Sequence, residues 1–333
     1  MRAHRRPTLS DVASQAGVSV TTASYILNRR SLEMRISAPT AERVLAVAAA
    51  LDYRPNRSAR NLRTASTATI GLISDHVASG GFASRMITGA AGAARSRHHL
   101  LVIGESEGDA GTEQLLIEEM LDRQVDGILY ATLSTSLVHV PLQLRDQRVV
   151  LLNCEDADGR LPAVVPDELA AGRAAAGVLL ETGHRLGIYL VGEDGVPEAV
   201  APRLRPVGIT AALHEAGVAL AGVVSCSWDV VPAHGAVGRF LDDGGRPAAM
   251  ICLNDRIAMG TYEALREHGL RVPDDVAVVS FDGSALAGWL QPPLTSVVIP
   301  YEELGAVAVD RLVTGATGVE RLAMPVLRGA STR

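Results

Sequence analysis

The chain has 333 residues, of which 47% are hydrophobic, so it is long and apolar enough for more than one domain with its own core. It contains no apolar run of about eighteen residues and no apolar segment after its basic N-terminus, which argues against a membrane span and a signal peptide. Its three cysteines, Cys154, Cys226 and Cys252, are odd in number and far apart, so they predict neither a disulfide framework nor a zinc site. We expect a cytoplasmic protein with no metal and no cofactor.

Charge is distributed unevenly along the chain. Residues 1–64 contain 11 arginines, no lysine and four acidic residues, a net charge of +7. The remainder contains 20 arginines and 33 acidic residues, a net charge of −13. A basic head on an acidic body is typical of a modular DNA-binding protein, because only the head is attracted to phosphates. Charge alone would equally allow a basic tail for any polyanion.

The basic head begins with the pattern of two short helices joined by a tight turn. Thr8 and Asp11 have the spacing of a capping box, and apolar residues follow at helical spacing up to Gly17, which is placed as a C-cap. Ser19 is then the expected N-cap of a second helix, in which Ala23 and Ile26 face inward. The residues predicted to face outward on this second helix are polar or small and include no acid: Val20, Thr21, Ser24, Tyr25 and Asn28. This is the layout of a helix-turn-helix, whose second helix enters the major groove of DNA.

A third amphipathic helix is predicted after Ser37, with Pro39 in its first turn and Val44 and Leu51 among its inward residues. Three small helices can share one core. The alternative is a helical hairpin that only packs against another part of the protein.

The next segment, residues 54–63, has the pattern of a very short helix after Pro55 and contains four arginines. A helix of this length is marginal in water, so we expect it to become ordered only against a partner. The alternative is an arginine-rich linker that touches phosphates.

From residue 69 onward, apolar strand-length runs alternate with helical patterns, which predicts an α/β fold with parallel sheets. The predicted strands are Thr69–Ser74, Leu100–Gly104, Gly127–Ala131, Val149–Asn153, Ala163–Val165, Leu186–Val191, Gly222–Ser225, Ala248–Leu253 and Val276–Phe281. The predicted helices are Ser84–Arg97, Thr112–Gln124, Glu168–Thr182, Arg203–Ala216, Gly235–Asp242 and Arg256–His268. We expect two consecutive units of about five strands each, with a ligand cleft at the carboxyl ends of the strands.

These features together resemble the LacI/GalR family of transcriptional repressors. In the head, the residues that carry the resemblance are Thr8-Leu-Ser-Asp-Val-Ala13, Ala16-Gly-Val-Ser19, Thr22-Ala-Ser24, Leu27-Asn28, Ile36-Ser37, Glu42-Arg-Val44, Leu51-Asp-Tyr-Arg-Pro-Asn56 and Ala59-Arg-Asn-Leu62. In the body they are Thr69-Ile-Gly-Leu-Ile73, Gln124-Val-Asp-Gly-Ile128, Asp167, Gly172-Arg173, Gly183-His-Arg185, Arg205, Gly208, Pro247, Ala249, Asn254-Asp255, Val278-Val-Ser-Phe-Asp282 and Pro292-Pro-Leu-Thr295.

The resemblance implies a fold and a domain plan. It implies a three-helix helix-turn-helix head at 1–54, a hinge helix and linker at 55–67, and a two-lobed, periplasmic-binding-protein-like effector and dimerisation domain at 68–333. The expected lobes are 68–165 plus 298–330 and 166–297, with three crossings of the chain between them. We favour a homodimer, since the chain stops soon after its last strand-like run.

The resemblance also implies the site residues. For DNA it implies contacts by Thr8, Ser19, Val20, Thr21, Thr22, Ser24, Tyr25 and Asn28 in the head and by Asn56, Arg57, Ala59, Arg60 and Leu62 in the hinge. Leu62 is expected to wedge into the minor groove at the centre of a pseudo-palindromic operator.

For a small-molecule effector such as a sugar, the contacts that the resemblance implies are Asp75, Asp167, Arg205, Trp228, Asn254 and Asp282. Carboxylates and amides suit hydroxyl ligands, and an aromatic ring can stack on a sugar face. The alternative for each is a structural role as a helix cap or salt bridge, and for Asp255 we expect a helix cap.

Three departures from the family pattern bear on specificity. Tyr25 stands where the family commonly has an arginine on the recognition helix, so base preference there should differ. The loop from His76 to Phe82 lacks the usual Asn-Pro-Phe, and Ile299 stands where some sugar binders have glutamine. The last two weaken the expectation of a sugar effector.

Two functional hypotheses follow. The first is a ligand-responsive transcription factor. The second is an enzyme or solute-binding protein with a basic appendage. No Gly-x-Ser-x-Gly, phosphate-binding Gly-x-x-x-x-Gly-Lys, zinc spacing or dinucleotide motif supports an enzyme. We therefore favour the first, a sequence-specific, effector-controlled repressor that is not an enzyme.

Overall fold

Three helices open the chain in the structure, a computed structural model that describes residues 7–28, 30–53, 66–81, 83–192 and 199–332. They are α1 (Leu9–Ala16), α2 (Val20–Leu27) and α3 (Ala38–Ala50). By its internal contacts the chain divides into two units, Met1–Thr67 and Ala68–Arg333. The predicted hinge residues lie outside the described residues.

The ends of α1 and α2 are set by the residues that the sequence indicated. The Thr8 hydroxyl accepts a hydrogen bond from the Asp11 backbone N–H at 3.3 Å, and the Asp11 carboxylate accepts one from the Thr8 N–H at 2.8 Å. Gly17 ends α1 in the left-handed conformation at φ +66°, and the Ser19 hydroxyl accepts from the Thr22 N–H at 3.0 Å. The predicted capping box, C-cap and N-cap are confirmed.

The head has a small core of its own. It is built from Val12, Ala13 and Ala16 of α1, Ala23 and Ile26 of α2, and Val44 and Ala48 of α3. Most of these side chains are alanine or valine, which lets three short helices approach closely. The predicted three-helix arrangement is confirmed.

The second unit contains two six-stranded sheets. The strands of both sheets, in chain order, are β1 (Thr69–Ser74), β2 (Leu100–Glu105), β3 (Gly127–Val138), β4 (Val149–Asp156), β5 (Ala163–Pro166), β6 (Ile188–Val191), β7 (Gly222–Val224), β8 (Ala249–Cys252), β9 (Ala277–Asp282), β10 (Thr295–Val298), β11 (Val319–Leu322) and β12 (Val326–Leu327).

The helices of this unit follow the strands in alternation. They are α4 (Ser84–Ser96), α5 (Ala110–Asp122), α6 (Glu168–Glu181), α7 (Ala201–Glu215), α8 (Val230–Asp242), α9 (Asp255–Glu267), α10 (Ala285–Trp289) and α11 (Tyr301–Thr314), with a 3₁₀ turn at Leu142–Leu144. In the ranges that the structure describes, no helix is long and apolar enough to cross a membrane.

Each sheet forms the centre of one lobe. The first has the order β11-β5-β4-β3-β1-β2, and the second has the order β12-β10-β9-β8-β6-β7. All neighbouring strands are parallel except β12, which pairs antiparallel with β10. The predicted parallel α/β fold is confirmed, and every predicted strand overlaps an observed one.

The two sheets are larger and more interleaved than the prediction of two consecutive five-stranded units. The chain leaves the first sheet after β5, returns after β10 to form β11, and ends in the second sheet with β12. The last strand therefore lies in lobe two, whereas the predicted boundary assigned residues up to 330 to lobe one. Strand β12 overlaps the last strand-like run of the sequence, Ala323–Leu327, whereas β11 is partly exposed and lacks the apolar run that marks a buried strand.

Candidate functional site

The outward face of α2 is the candidate DNA-binding surface of the head. Ser19, Val20 and Thr21 are exposed at its N-terminal end, and Ser24 and Tyr25 are half-buried one turn later. Val20 exposes 47% of its surface, although it is apolar. The N-terminal residues of a recognition helix are those that reach base edges, so this face is arranged as direct readout requires.

Several predicted DNA contacts also have local structural roles. The Thr22 hydroxyl lies 2.8 Å from the Ser19 hydroxyl beside the N-cap bond, and the Asn28 side-chain amide donates to the Ser24 carbonyl at 2.7 Å. Thr8 belongs to the capping box of α1. Thr8, Thr22 and Asn28 therefore support the local structure of the head, and their contacts with DNA stay a prediction.

The predicted minor-groove residues Asn56, Arg57, Ala59, Arg60 and Leu62 lie outside the described residues. Their contacts with DNA remain a prediction.

A buried ion pair lies at the centre of the candidate effector site in lobe two. The Arg205 guanidinium donates from Nε and Nη2 to the Glu168 carboxylate at 2.6 and 3.0 Å, and both residues are 1% exposed. Nη1 donates to the Leu253 carbonyl at 2.6 Å. Burial alone would lower the pKa of Arg205, but the charge and hydrogen bonds of Glu168 raise that pKa above its ordinary value.

The ion pair depends on a close approach of the two helices that carry it. Glu168 begins α6, and Arg205 lies in α7. A Cβ at Gly172 would lie 2.2 Å from the Arg205 carbonyl oxygen, and one at Gly208 would lie 2.1 Å from the Leu169 carbonyl oxygen. The two glycines therefore let the helix backbones touch, which brings Glu168 to Arg205.

Asp282 is the second carboxylate beside Arg205. Its Oδ1 atom lies 3.6 Å from Arg205 Nη1, and its backbone has a φ of 102° at the end of β9. Burial raises the pKa of Asp282 to about 7, against the opposing effect of the Arg205 charge, with Asp255 and Glu168 raising it further. Burial therefore favours the neutral form of this carboxyl group.

Aromatic rings enclose the same guanidinium. The Arg205 Cζ atom lies 4.5 Å from the ring centre of Phe281 and 5.8 Å from that of Trp228. The face of an aromatic ring attracts a cation, so both rings help to hold the charged guanidinium. Tyr301, at the start of α11, is 8% exposed, and its pKa is raised by burial and then by the charge of Asp282.

Two other candidates for effector binding act as helix caps. Asp167 accepts from the Ala170 N–H at 2.9 Å at the start of α6, and Asn254 accepts from the Ile257 N–H at 2.7 Å at the start of α9. The Asn254 side chain also donates to the Trp228 carbonyl at 3.4 Å.

The expectation that Asp255 caps α9 was wrong, because Asn254 occupies the N-cap. Asp255 is instead 1% exposed and accepts hydrogen bonds from the hydroxyls of Ser280, Ser284 and Ser296. It thus ties the start of α9 to β9 and β10.

Asp75 lies in lobe one, after β1. Its Oδ1 atom accepts from the backbone N–H of His76 at 2.5 Å and of Leu133 at 2.8 Å. The following loop is held by Glu105, whose carboxylate accepts from the N–H groups of Ala78 and Ser79 at 2.7 and 3.1 Å. Arg205, Trp228, Asn254 and Asp282 are thus brought together in lobe two, with Asp167 beside Glu168, while Asp75 belongs to lobe one.

Sequence reasoning missed Glu168, Phe281 and Tyr301. A signal for Glu168 was available, because an arginine predicted inside an α/β body requires a carboxylate partner if it is buried. Phe281 was assigned only to a strand. Among the described residues, no group of three or more His, Cys, Asp or Glu side chains could hold a metal ion.

Two family models match the chain. "Bacterial regulatory proteins, lacI family" matches residues 8–56, and "Periplasmic binding protein-like domain" matches residues 176–332. The first covers α1 to α3, and the second covers most of lobe two. The predicted periplasmic-binding-protein-like body is thereby confirmed.

Individual proteins match over nearly the full length. The ribose operon repressor of Escherichia coli (strain K12) is 30% identical over 329 residues, which cover 96% of this chain and 94% of that protein. The crystal structure of the lac repressor dimer bound to operator and the anti-inducer ONPF has a TM-score of 0.79 at 25% identity and covers 98% of this chain and 99% of that one. The transcriptional regulator CelR in complex with cellobiose has a TM-score of 0.66 at 28% identity, with 98% and 100% covered.

These relatives are transcriptional regulators, which confirms the prediction that the chain is not an enzyme. The match to the ribose operon repressor runs through both the head and the body, so the likeness is not confined to one module. The chain therefore belongs to the lacI family of bacterial regulatory proteins and is a DNA-binding transcriptional regulator controlled through its effector-binding body.

Proposed function

We propose that this regulator is a cytoplasmic homodimeric repressor that binds a pseudo-palindromic operator and responds to an uncharged, polyhydroxylated small molecule such as a sugar. The observation that carries the proposal is the pairing, in one chain, of an acid-free outward face on α2 with a body whose buried arginine is flanked by two carboxylates and two rings. The first feature suits base edges, and the second suits a neutral ligand.

In the proposed DNA complex, Ser19, Val20, Thr21 and Tyr25 face the major groove of each half-site. Thr8 at the N-terminus of α1 contacts phosphate, since backbone N–H groups at a helix start attract anions. Asn56, Arg57, Ala59, Arg60 and Leu62 supply the minor-groove contacts at the centre of the operator. This division follows the general separation of base readout from phosphate positioning.

Exposed apolar side chains on equivalent edge strands support the homodimer. On β2, Leu100 and Ile103 are 56% and 41% exposed, and on β7 Val223 is 54% exposed. Each of these strands lies at the edge of its sheet. Edge strands with exposed aliphatic side chains favour association with another chain.

The charge balance at Arg205 supports a neutral effector. The Glu168 carboxylate binds one edge of the guanidinium through Nε and Nη2, and the Asp282 carboxyl group lies beside Nη1. Glu168 already balances the charge of Arg205, so an anionic sugar phosphate would meet no net positive charge. The hydroxyl groups of a sugar can donate hydrogen bonds to Asp282, and the face of the sugar ring can stack on Trp228. The ribose operon repressor and the cellobiose complex among the relatives agree with this class of ligand.

The cysteines agree with a reducing compartment. The three cysteines Cys154, Cys226 and Cys252 are odd in number, far apart in the sequence and buried, which does not suit a disulfide framework. Burial also raises the pKa of Cys154 and of Cys252 to about 12, which disfavours the reactive thiolate. This supports the proposed cytoplasmic location.

The test is a selection of bound genomic fragments with purified full-length protein at stated salt, followed by fluorescence titrations with one selected operator. We expect a pseudo-palindromic site, and a change in operator affinity with neutral sugars but not with their phosphates. Sequence-blind binding would overturn the operator proposal. A response to phosphorylated sugars alone would overturn the proposed ligand class.

Asp282→Asn provides the matched variant for the effector part. The substitution removes a carboxyl group in lobe two and changes no residue of the head. Operator affinity in the absence of effector should therefore be unchanged, while the response to effector is lost. A full response in this variant would remove Asp282 from the proposed site.

A further inference from the structure

An arginine from the loop after α2 lies over the one aromatic residue of the recognition helix. The Cζ atom of Arg30 is 5.4 Å from the ring centre of Tyr25. The Glu33 carboxylate accepts from Arg30 Nε at 2.7 Å and from Nη2 at 2.5 Å. The guanidinium is therefore held on one side by a ring and on another by a carboxylate.

The loop that presents Arg30 has a defined backbone. The Arg30 N–H donates to the Tyr25 carbonyl at 2.9 Å, the Met34 N–H donates to the Arg30 carbonyl at 3.0 Å, and the Ile36 N–H donates to the Ser31 carbonyl at 2.8 Å. These bonds connect the loop to the recognition helix and close it on itself. Arg30 is thus positioned by the backbone as well as by its side-chain partners.

The hydrogen bonds to Glu33 leave donors on the guanidinium. Arginine has five N–H donors in a planar fork, and Glu33 engages one from Nε and one from Nη2. The end of the fork, formed by Nη1 and the second N–H of Nη2, has the geometry for a bidentate acceptor. In the major groove the matching acceptor is the O6 and N7 pair of guanine.

The acid partner favours base reading over phosphate binding. Glu33 cancels most of the charge of Arg30, so the pair has little long-range attraction for phosphates. A phosphate contact also needs no fixed orientation, whereas a guanine contact needs the fork held in one plane. Both side chains stay partly exposed, at 42% for Arg30 and 58% for Glu33, so the fork is accessible.

We propose that Arg30, which lies over the Tyr25 ring and is oriented by Glu33, reads one guanine in the major groove of each half-site. The inference rests on the proposed operator binding and adds a specificity-determining residue that lies outside the recognition helix. Arg30 contacts the base, while Tyr25 and Glu33 are positioning residues for it.

The test compares binding sites selected from random DNA by the full-length protein and by three variants. Arg30→Gln removes the charge and the fork, Arg30→Lys keeps the charge and removes the fork, and Arg35→Gln is the matched control from the same loop. We expect both Arg30 variants to lose a preference for guanine at one position per half-site, by about 5- to 150-fold in discrimination. Arg35→Gln should retain that preference.

Glu33→Gln tests the orienting role. It should keep the same preferred guanine but discriminate less strongly, because Gln cannot hold the fork with two charged acceptors. Equal discrimination in this variant would overturn the role of Glu33.

Two results would overturn the assignment of Arg30. One is an unchanged preference at every position in Arg30→Gln. The other is uniform weakening on all sites with a salt slope reduced by about one, which is the signature of a phosphate contact. In both cases the proposed function would still hold if the selected sites were pseudo-palindromic. If the wild-type protein itself selected no pseudo-palindromic site, the proposed function would be refuted, independently of Arg30.

Discussion

Two arginines of this protein each contact a glutamate and an aromatic ring, yet their roles differ. Arg205 is 1% exposed and joined to Glu168 across 37 residues of sequence, and its partner rings are buried or half-buried. Arg30 is partly exposed and joined to Glu33 three residues away. A buried ion pair must keep both partners, because a single buried charge destabilises the fold. An exposed ion pair adds little to stability, but it can hold a side chain in one orientation. The same kinds of contact therefore stabilise the fold where they are buried and orient a side chain where they are exposed.

The largest effect is expected from breaking the buried pair. Glu168→Gln leaves the Arg205 charge buried with a weaker partner, so we expect the free energy of unfolding to fall by about 3–5 kcal/mol. The matched control is Glu215→Gln, which removes the exposed bond from Arg173 between the same two helices and should leave the midpoint of denaturation unchanged. Denaturant unfolding of both variants checks the difference, and equal losses would contradict it.

The next effect concerns the helix crossing that brings the pair together. In Gly172→Ala the new Cβ would lie 2.2 Å from the Arg205 carbonyl oxygen, so the helices must separate. We expect a loss of about 1–3 kcal/mol in unfolding free energy.

Gly177→Ala in the same helix meets nothing within 4 Å and serves as the control. It should raise stability slightly, by about 0.5–1 kcal/mol, since alanine suits a helix interior better than glycine. Destabilisation of similar size in both variants would contradict the crossing as the cause, because only Gly172 makes the close contact.

The charge of Asp282 should appear in the pH dependence of stability. Its pKa in the folded state is raised to about 7, so the folded protein binds this proton more tightly than the unfolded chain does. Stability from this group is therefore present below the unfolded pKa and is lost as pH rises toward 7, by about 1–3 kcal/mol.

Asp282→Asn has no such proton. The difference in unfolding free energy between wild type and this variant should change by that amount, in favour of the variant, between pH 4 and 7. A difference that is constant with pH would contradict a raised pKa.

A smaller effect is expected at the capping box of the head. Thr8→Ala removes the hydroxyl that accepts from the Asp11 N–H, so α1 should lose about 1 kcal/mol. Amide hydrogen exchange of α1 in the full chain measures it. Ser10→Ala, an exposed position of the same helix, is the control, and equal exchange rates in both variants would refute the cap.

The smallest effect on stability is expected at the exposed pair. Arg30→Gln should not shift the melting temperature, although it should change the selected DNA site. A clear fall in melting temperature would mean that Arg30 supports the fold of the head and would erase the contrast with Arg205.

The sequence by itself determined the features that depend on neighbouring residues. The capping box at Thr8, the turn at Gly17, the N-cap at Ser19 and the strand at Thr69–Ser74 are all encoded within a few positions, and each is confirmed. Local hydrogen bonds and side-chain period set these elements, so pattern reasoning reaches them.

The tertiary structure alone decided which distant groups meet. The pairing of Glu168 with Arg205, the four-way bonding of Asp255 and the return of β12 to the second sheet join residues that no local pattern relates. The close helix crossing at Gly172 and Gly208 brings Glu168 to Arg205, and the buried arginine requires this partner because an unpaired buried charge is very costly. The order of the strands places β12 in the second sheet. The identities of these residues are in the sequence, but their partners exist only once both sheets have formed.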